Sequence, residues 1–298
     1  MPGRLTPGAG EGAHPMTHPA GGGDGLYVLL KTEDGPDGTT YETFSSSHGV
    51  ASAWGPIQHG GPLSGLLTRA MEQCAPREGT RLSRVTVEIL GPVPIDEVRV
   101  SARVVRPGRR VELVNAVLEA RDPAGAWRPA ATAAAWRLAN QPTHDVSRHA
   151  DPVVALPDDV GVVDTGLHLP DVWPRAGFIS SVHWHITDHG TDPGTPTTAW
   201  LKLLRPLVEG EEPTPTVRLM TVVDVANGVG ARLDPMTHTF LNTDVSVHLH
   251  APPSGEWTGI RAETSVGPDG IGLSAGSLHG ADGPVGRIAQ TLLVERHG

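Results

Sequence analysis

The sequence predicts an α+β fold in which one unit, a helix followed by long antiparallel strands, is built twice. Two observations carry this expectation. The first is an internal repeat: Leu82 to Leu138 reads like Asn242 to Glu295. Val85-Thr86-Val87-Glu88-Ile89 matches Val245-Ser246-Val247-His248-Leu249, and Pro92 and Pro94 match Pro252 and Pro253. The run Val98–Val105 matches Ile260–Val266, and a turn at Pro107-Gly108 matches one at Gly267–Gly270. The offset is 160 residues at the start and 158 at the end. The second observation is a helix signal ahead of each copy. Leu63, Leu66, Leu67, Ala70, Met71 and Cys74 form an apolar stripe at helical spacing, with Pro62 in the first turn. Thr216 to Val229 is apolar almost all round, as a buried helix is, with Asn227-Gly228 as its stop.

Taken in order, residues 1–25 are Gly-, Pro- and His-rich without an apolar segment, and read as a disordered tail. A first half, residues 26–140, holds strand candidates at Leu26–Lys31 and Tyr41–Phe44, the helix Pro62–Cys74, and the strands of the first repeat. Residues 141–174, rich in Pro, Asp and His, read as a linker. A second half, residues 175–298, holds strand candidates at Phe178–Ile186 and Ala199–Leu204, the second helix, and the second repeat. In that repeat Asp244, Ser246, His248 and His250 alternate with Val245, Val247 and Leu249, so one face is polar and one apolar. A curled antiparallel sheet must cover its apolar face, and one buried helix per sheet does so. The arrangement is a hotdog, and two copies make a double hotdog: two antiparallel sheets joined, each wrapped around a central helix. Fused halves mimic a hotdog dimer, and further pairing into a homo-oligomer is expected.

Composition narrows the function. With 33 acidic against 23 basic side chains the net charge is −10, which disfavours nucleic acid as a partner. The single cysteine, Cys74, excludes an intrachain disulfide and fits a reducing, cytoplasmic setting; on the helix's apolar stripe it reads as a core thiol. No run of 18 apolar residues occurs, so no membrane span is expected.

Aligning the halves exposes candidate chemistry. Asp224 falls opposite Ser64, Asn242 opposite Leu82 and Gln290 opposite Thr132, so strongly polar groups stand where the first half has weaker or apolar ones. A carboxylate in a mostly apolar helix is costly without a partner. The competing reading makes Thr221, Asp224, Asn227 and Gly228 a solvated helix face and Gln290 a sheet-edge residue. His183 with His185, and His248 with His250, have metal-ligand spacing on a strand, but polar-face residues are the simpler reading and no metal or cofactor is expected. Arg106, Arg109 and Arg110 form the densest basic patch, of which Arg109 and Arg110 are candidates for substrate phosphates.

The string Phe240-Leu241-Asn242-Thr243-Asp244, then His250-Ala251-Pro252-Pro253, Gly255-Glu256-Trp257, Asp282-Gly283 and Ala289-Gln290-Thr291, resembles the C-terminal half of acyl-CoA thioesterase II (TesB-type) proteins. His59-Gly60-Gly61 before a helix resembles their N-terminal half. The resemblance covers about residues 40–140 and 178–296. It implies hydrolysis of an acyl-CoA or acyl-carrier-protein thioester. An Asp, a Thr and a Gln orient a water in that family; these map to Asp224, Asn242 and Gln290, with Asn242 departing from the family Thr. Asp224 is then the general base, Asn242 and Gln290 position the water, and His59, Gly60 and Gly61 bind substrate, with backbone N–H groups at the helix start facing the oxyanion. The departure at Asn242 also keeps open a biosynthetic step on the same fold (dehydration, cyclisation or acyl transfer), or acyl binding without turnover.

Overall fold

The computed structural model describes residues 24–36, 38–161 and 177–297. Most of the expected tail, residues 162–174 of the expected linker and the first two residues of the expected second half lie outside the described residues. Thirteen strands form one continuous antiparallel sheet. In the first half they are β1 (Tyr27–Asp34), β2 (Thr40–Ser46), β3 (Thr80–Ile89), β4 (Glu97–Arg106), β5 (Val111–Arg121) and β6 (Trp127–Ala139). In the second they are β7 (Val182–Asp188), β8 (Thr197–Leu203), β9 (His238–Asn242), β10 (Asp244–Leu249), β11 (Thr258–Val266), β12 (Ile271–Gly280) and β13 (Gly283–Arg296). The spatial order is β1-β2-β4-β5-β6-β3-β10-β13-β12-β11-β8-β7, with β9 added against β13. Each half therefore repeats one order, and the two meet at β3 and β10. There Thr86 and Ser246, which hold the same place in the two repeats, pair with each other with their hydroxyls 3.3 Å apart. The architecture is of the hotdog type.

The helices pack against the sheet's apolar face and against each other. The first, α1 (Gly60–Gln73), starts two residues earlier than the stripe suggests. Its C-terminal end is held by the Arg137 guanidinium, which donates to the carbonyls of Met71 (2.5 Å), Cys74 (2.8 Å) and Ala75 (2.9 Å) and pairs with the buried Glu112 at 2.8 Å. Burial pushes the Cys74 thiol up from its ordinary value, as expected of a packed rather than a reactive cysteine. Phe178 is not in a strand: Gly177–Ser180 is a single helical turn, α2, ahead of β7. The second long helix is not continuous either. It runs as α3 (Pro215–Val222), a 3-10 turn at Val223–Val225, and α4 (Ala226–Val229). The run Val222-Val223-Asp224-Val225 concentrates β-branched residues that fit a regular helix poorly, and the tighter turn falls there.

Two polar contacts tie α1 to the segment that leads into α3. The buried Arg69 of α1 bonds Glu42 of β2 at 2.6 Å and Glu211, ahead of α3, at 2.7 Å. Thr214, the N-cap of α3, accepts from the Val217 N–H and donates to Glu72 of α1 at 2.7 Å. Burial raises the Glu72 carboxyl, partly offset by that hydrogen bond.

The described part of the linker lies over the outer face of the second half's sheet. Asp151 pairs with Arg287 of β13 at 2.8 Å, Trp200 of β8 donates to the Ala155 carbonyl at 2.8 Å, and the His185 ring of β7 lies 3.1 Å from the Val160 carbonyl. Trp200 and His279, which face away from the helices, are buried. Among the described residues, no helix is long and apolar enough to cross a membrane.

Candidate active site

The irregular turn between α3 and α4 presents Asp224, which is buried at 3% exposure. A buried carboxylate needs partners, and it has three kinds. Asn242, the last residue of β9, donates from Nδ2 to Asp224 Oδ1 at 2.7 Å. His59 Nδ1 lies 3.0 Å from Asp224 Oδ2. The carboxylate also rests against the first turn of α1, whose positive dipole end favours negative charge. Gln290, fully buried on β13, donates from Nε2 to the Asp224 backbone carbonyl at 2.9 Å and so holds the irregular turn itself. Its Oε1 is buried and has no partner among the described residues.

The two glycines after His59 have separate reasons to be glycine. A Cβ on Gly60 would lie 2.7 Å from both Asp224 carboxylate oxygens, and one on Gly61 would lie 2.3 Å from the Thr221 carbonyl of α3. One residue makes room for the carboxylate and the other for the neighbouring helix. His59 is the N-cap of α1, its Nδ1 accepting from the Gly61 N–H at 3.1 Å. Gln58 fixes the approach: it accepts from the Tyr27 hydroxyl at 2.6 Å and donates to the Pro94 carbonyl at 2.7 Å. The Phe178 ring stacks at a tilt on His59, 4.8 Å between centroids.

An apolar chamber of about 480 Å³ adjoins this cluster. Trp54, Trp184, Phe240, Val225 and Val229 are among its walls, and His59 is a polar group in the same lining. Trp54 and Phe240 meet edge to face at 5.3 Å.

Five of the residues picked out from the sequence thus converge: Asp224, Asn242, Gln290, His59 and Gly60, with Gly61 directly behind. They come from both halves, because α1 of the first half delivers His59-Gly60-Gly61 to the carboxylate of the second. Arg109 and Arg110 are not brought to the cluster. They sit in the β4–β5 turn beside Arg77, just past the far end of α1, and a helix of 14 residues is about 21 Å long. The histidine pairs do not meet: β7 and β10 are separated by four strands, and His183 and His185 both pack on Trp257. Pairing also corrects one alignment. Ser246 pairs with Ala289 and its counterpart Thr86 with Ala134, so Gln290 corresponds to Ala135. Thr132 lies on the outer face with Thr86 and Asn115. A fixed offset fails there because the first half's β5–β6 hairpin is longer. The sequence reading missed the chamber's aromatic walls, which come from three separate segments with no common motif.

Residues 49–138 match the acyl-CoA thioesterase N-terminal domain family, and residues 155–294 match the acyl-CoA thioesterase C-terminal domain family. The chain belongs to the acyl-CoA thioesterase family and is a thioester hydrolase. Solved structures share the fold. A protein assigned as a thioesterase in Novosphingobium aromaticivorans is 15% identical, with a TM-score of 0.66 over 89% of this chain and 98% of that one. A protein assigned as a thioesterase II in Thermobifida fusca is 19% identical, with a TM-score of 0.63 over 91% and 95%. An acyl-CoA thioesterase II of Mycobacterium marinum is 11% identical, with a TM-score of 0.59 over 90% and 96%. No curated protein matches the sequence.

Proposed function

We propose that this chain hydrolyses acyl-CoA thioesters by direct attack of a water at Asp224, without an acyl-enzyme, and that its two halves form a double hotdog with one working site. The observation that carries the reading is the buried, unpartnered Oε1 of Gln290 on the residue that holds the Asp224 turn. A water that donates one proton to the Asp224 carboxylate and the other to Gln290 Oε1 has its lone pair free for the thioester carbon. Asp224 accepts the proton as that lone pair attacks. Asn242 acts one step further back than the family Thr, since its amide is engaged with Asp224 Oδ1 and fixes the base. The acyl chain occupies the apolar chamber. The first turn of α1 supports the oxyanion through its backbone donors and dipole, although the Gly61 N–H must leave His59 Nδ1 to take part.

The test is release of free thiol from a series of acyl-CoAs and from the corresponding acyl-carrier proteins. Thiol release from the CoA esters that disappears in Asp224→Asn supports the reading. Preference for the carrier proteins would shift the substrate, and consumption of substrate without free thiol, or tight binding without turnover, would overturn hydrolysis.

A further inference from the structure

Independently of the hydrolysis reading, we propose that the far end of the α1–α3 pair holds a second ligand site, which takes a small primary alkylammonium with its charged head on Glu72. The argument begins with the way the two ends of the helix pair repeat each other. At one end the N-cap of α1, His59, lies 3.0 Å from the Asp224 carboxylate of the neighbouring helical run. At the other end the N-cap of α3, Thr214, donates from its hydroxyl to the Glu72 carboxylate of α1 at 2.7 Å. Each helix thus starts against an acid of the other, as two copies packed about a local two-fold do. The match is of arrangement and not of position, since the repeat places Ser64 opposite Asp224.

A cavity adjoins each acid. The one at Glu72 has a volume of about 310 Å³, at the small end of the range for ligand pockets. Leu207, Val208, Val217 and Pro76 are among its walls, so Glu72 is a carboxylate at the edge of a largely apolar space.

The second observation is charge. The neighbouring acids are paired: Glu42 and Glu211 with Arg69, Glu212 with Arg218 at 2.8 Å, and Glu112 with Arg137. Glu72 has the hydroxyls of Thr214 and Thr216 but, among the described residues, no ion pair. Arg137 acts on it from a distance, being engaged by Glu112 and by the last carbonyls of α1. A cation in the cavity would supply the charge that Glu72 lacks. Among the described residues no three His, Cys, Asp or Glu side chains are grouped as a metal ion needs, and the apolar walls offer such an ion no ligands. An alkylammonium meets both conditions. Its head donates a charge-assisted hydrogen bond to the carboxylate, and its chain covers Leu207, Val208 and Val217.

Titration calorimetry of the full chain with hexylammonium chloride tests the site. Saturable binding of one equivalent is expected. It should weaken by about tenfold or more in Glu72→Gln, one charge-assisted hydrogen bond's worth, since that variant keeps the side chain's size but not its charge. Hexanol, the same chain without the charge, should bind the parent more weakly by a similar factor. Asp224→Asn should bind hexylammonium as the parent does, because Asp224 stands at the other end of the helix pair. The thermal melt of the parent should rise with added hexylammonium, and that of folded Glu72→Gln should not. Absence of saturable binding at millimolar hexylammonium, or parental affinity in Glu72→Gln, overturns the site. So does weakened binding in Asp224→Asn, which would put the probe in the apolar chamber beside that residue. Thiol release is read in neither measurement, so the site and the hydrolysis reading stand or fall separately.

Discussion

In the first half of the molecule the central helix runs unbroken for 14 residues, while in the second it breaks into two short helices around a 3-10 turn. The candidate site is at the break. The positions of Asp224, Asn242 and Gln290 are held in the first half by Ser64, Leu82 and Ala135, and Ser64 satisfies itself by donating to the Gly60 carbonyl at 2.8 Å. The first half has put its buried charges at the other end of its helix, where Arg137 and Glu112 close the C-terminus. Duplication allowed the division: one copy keeps regular packing and contributes the N-terminal turn of its helix, and the other gives up regularity to place a carboxylate against that turn.

The largest test of this contrast pairs Asp224→Ala with Ser64→Ala. The first should lower thiol release by two to about four orders of magnitude, the scale of a lost general base. The second should leave the rate within a few-fold, because Ser64 bonds only its own helix. Equal effects would erase the distinction between the halves.

Arg137→Met probes the other end. It leaves Glu112 buried, with Arg77 at 3.5 Å as its remaining ion pair, and strips the C-terminus of α1. A loss of about 3–5 kcal/mol is expected by urea denaturation, with turnover of the remaining folded enzyme little changed. A variant that loses turnover but not stability would show that the two helix ends are coupled.

Gln290→Ala should cost about 2.7–4 kcal/mol of transition-state stabilisation at most, read as kcat/KM. Placing Gln at the counterpart, Ala135→Gln, should destabilise the fold and create no activity, since no carboxylate stands there.

The strap across the second half makes a pH prediction. Burial lowers the His279 imidazole from its ordinary value to about 4, with Asp151 opposing the shift. The unfolded chain binds a proton there below about 6.5 while the folded chain does not until about 4. Stability should therefore fall as pH drops through that window, by up to about 3 kcal/mol. His279→Gln should flatten the dependence, and proteolysis within residues 149–160 should become faster in acid for the parent only. The smallest effect is expected for Asn242→Thr. A hydroxyl can also donate to Asp224, so thiol release should stay within about tenfold of the parent, one hydrogen bond's worth; complete loss would mean that the amide reaches further than Asp224.

The repeat, the succession of strands along it and the helix ahead of each copy were legible from residues alone, because period-two and period-3.6 patterning record which face is buried; the order of the strands in the sheet was not. Asp224 and Gln290 were legible for the related reason that polar groups in apolar runs require a partner. Their partners were not legible. His59 is 165 positions from Asp224 in the chain, and only the packing of α1 on α3, through Gly60 and Gly61, makes them neighbours. The break at Asp224 was hidden for a similar reason: an all-apolar segment is compatible with a straight buried helix, and the Gln290 amide that holds the turn arrives from another strand. Arg109 and Arg110 showed the opposite limit, since charge density locates a basic turn but not the end of a helix on which it falls. Sequence thus determined which side chains must be buried and in what rhythm. Tertiary structure alone decided which buried polar groups meet, because hydrogen bonds across the core depend on distances of about 3 Å that no spacing along the chain specifies.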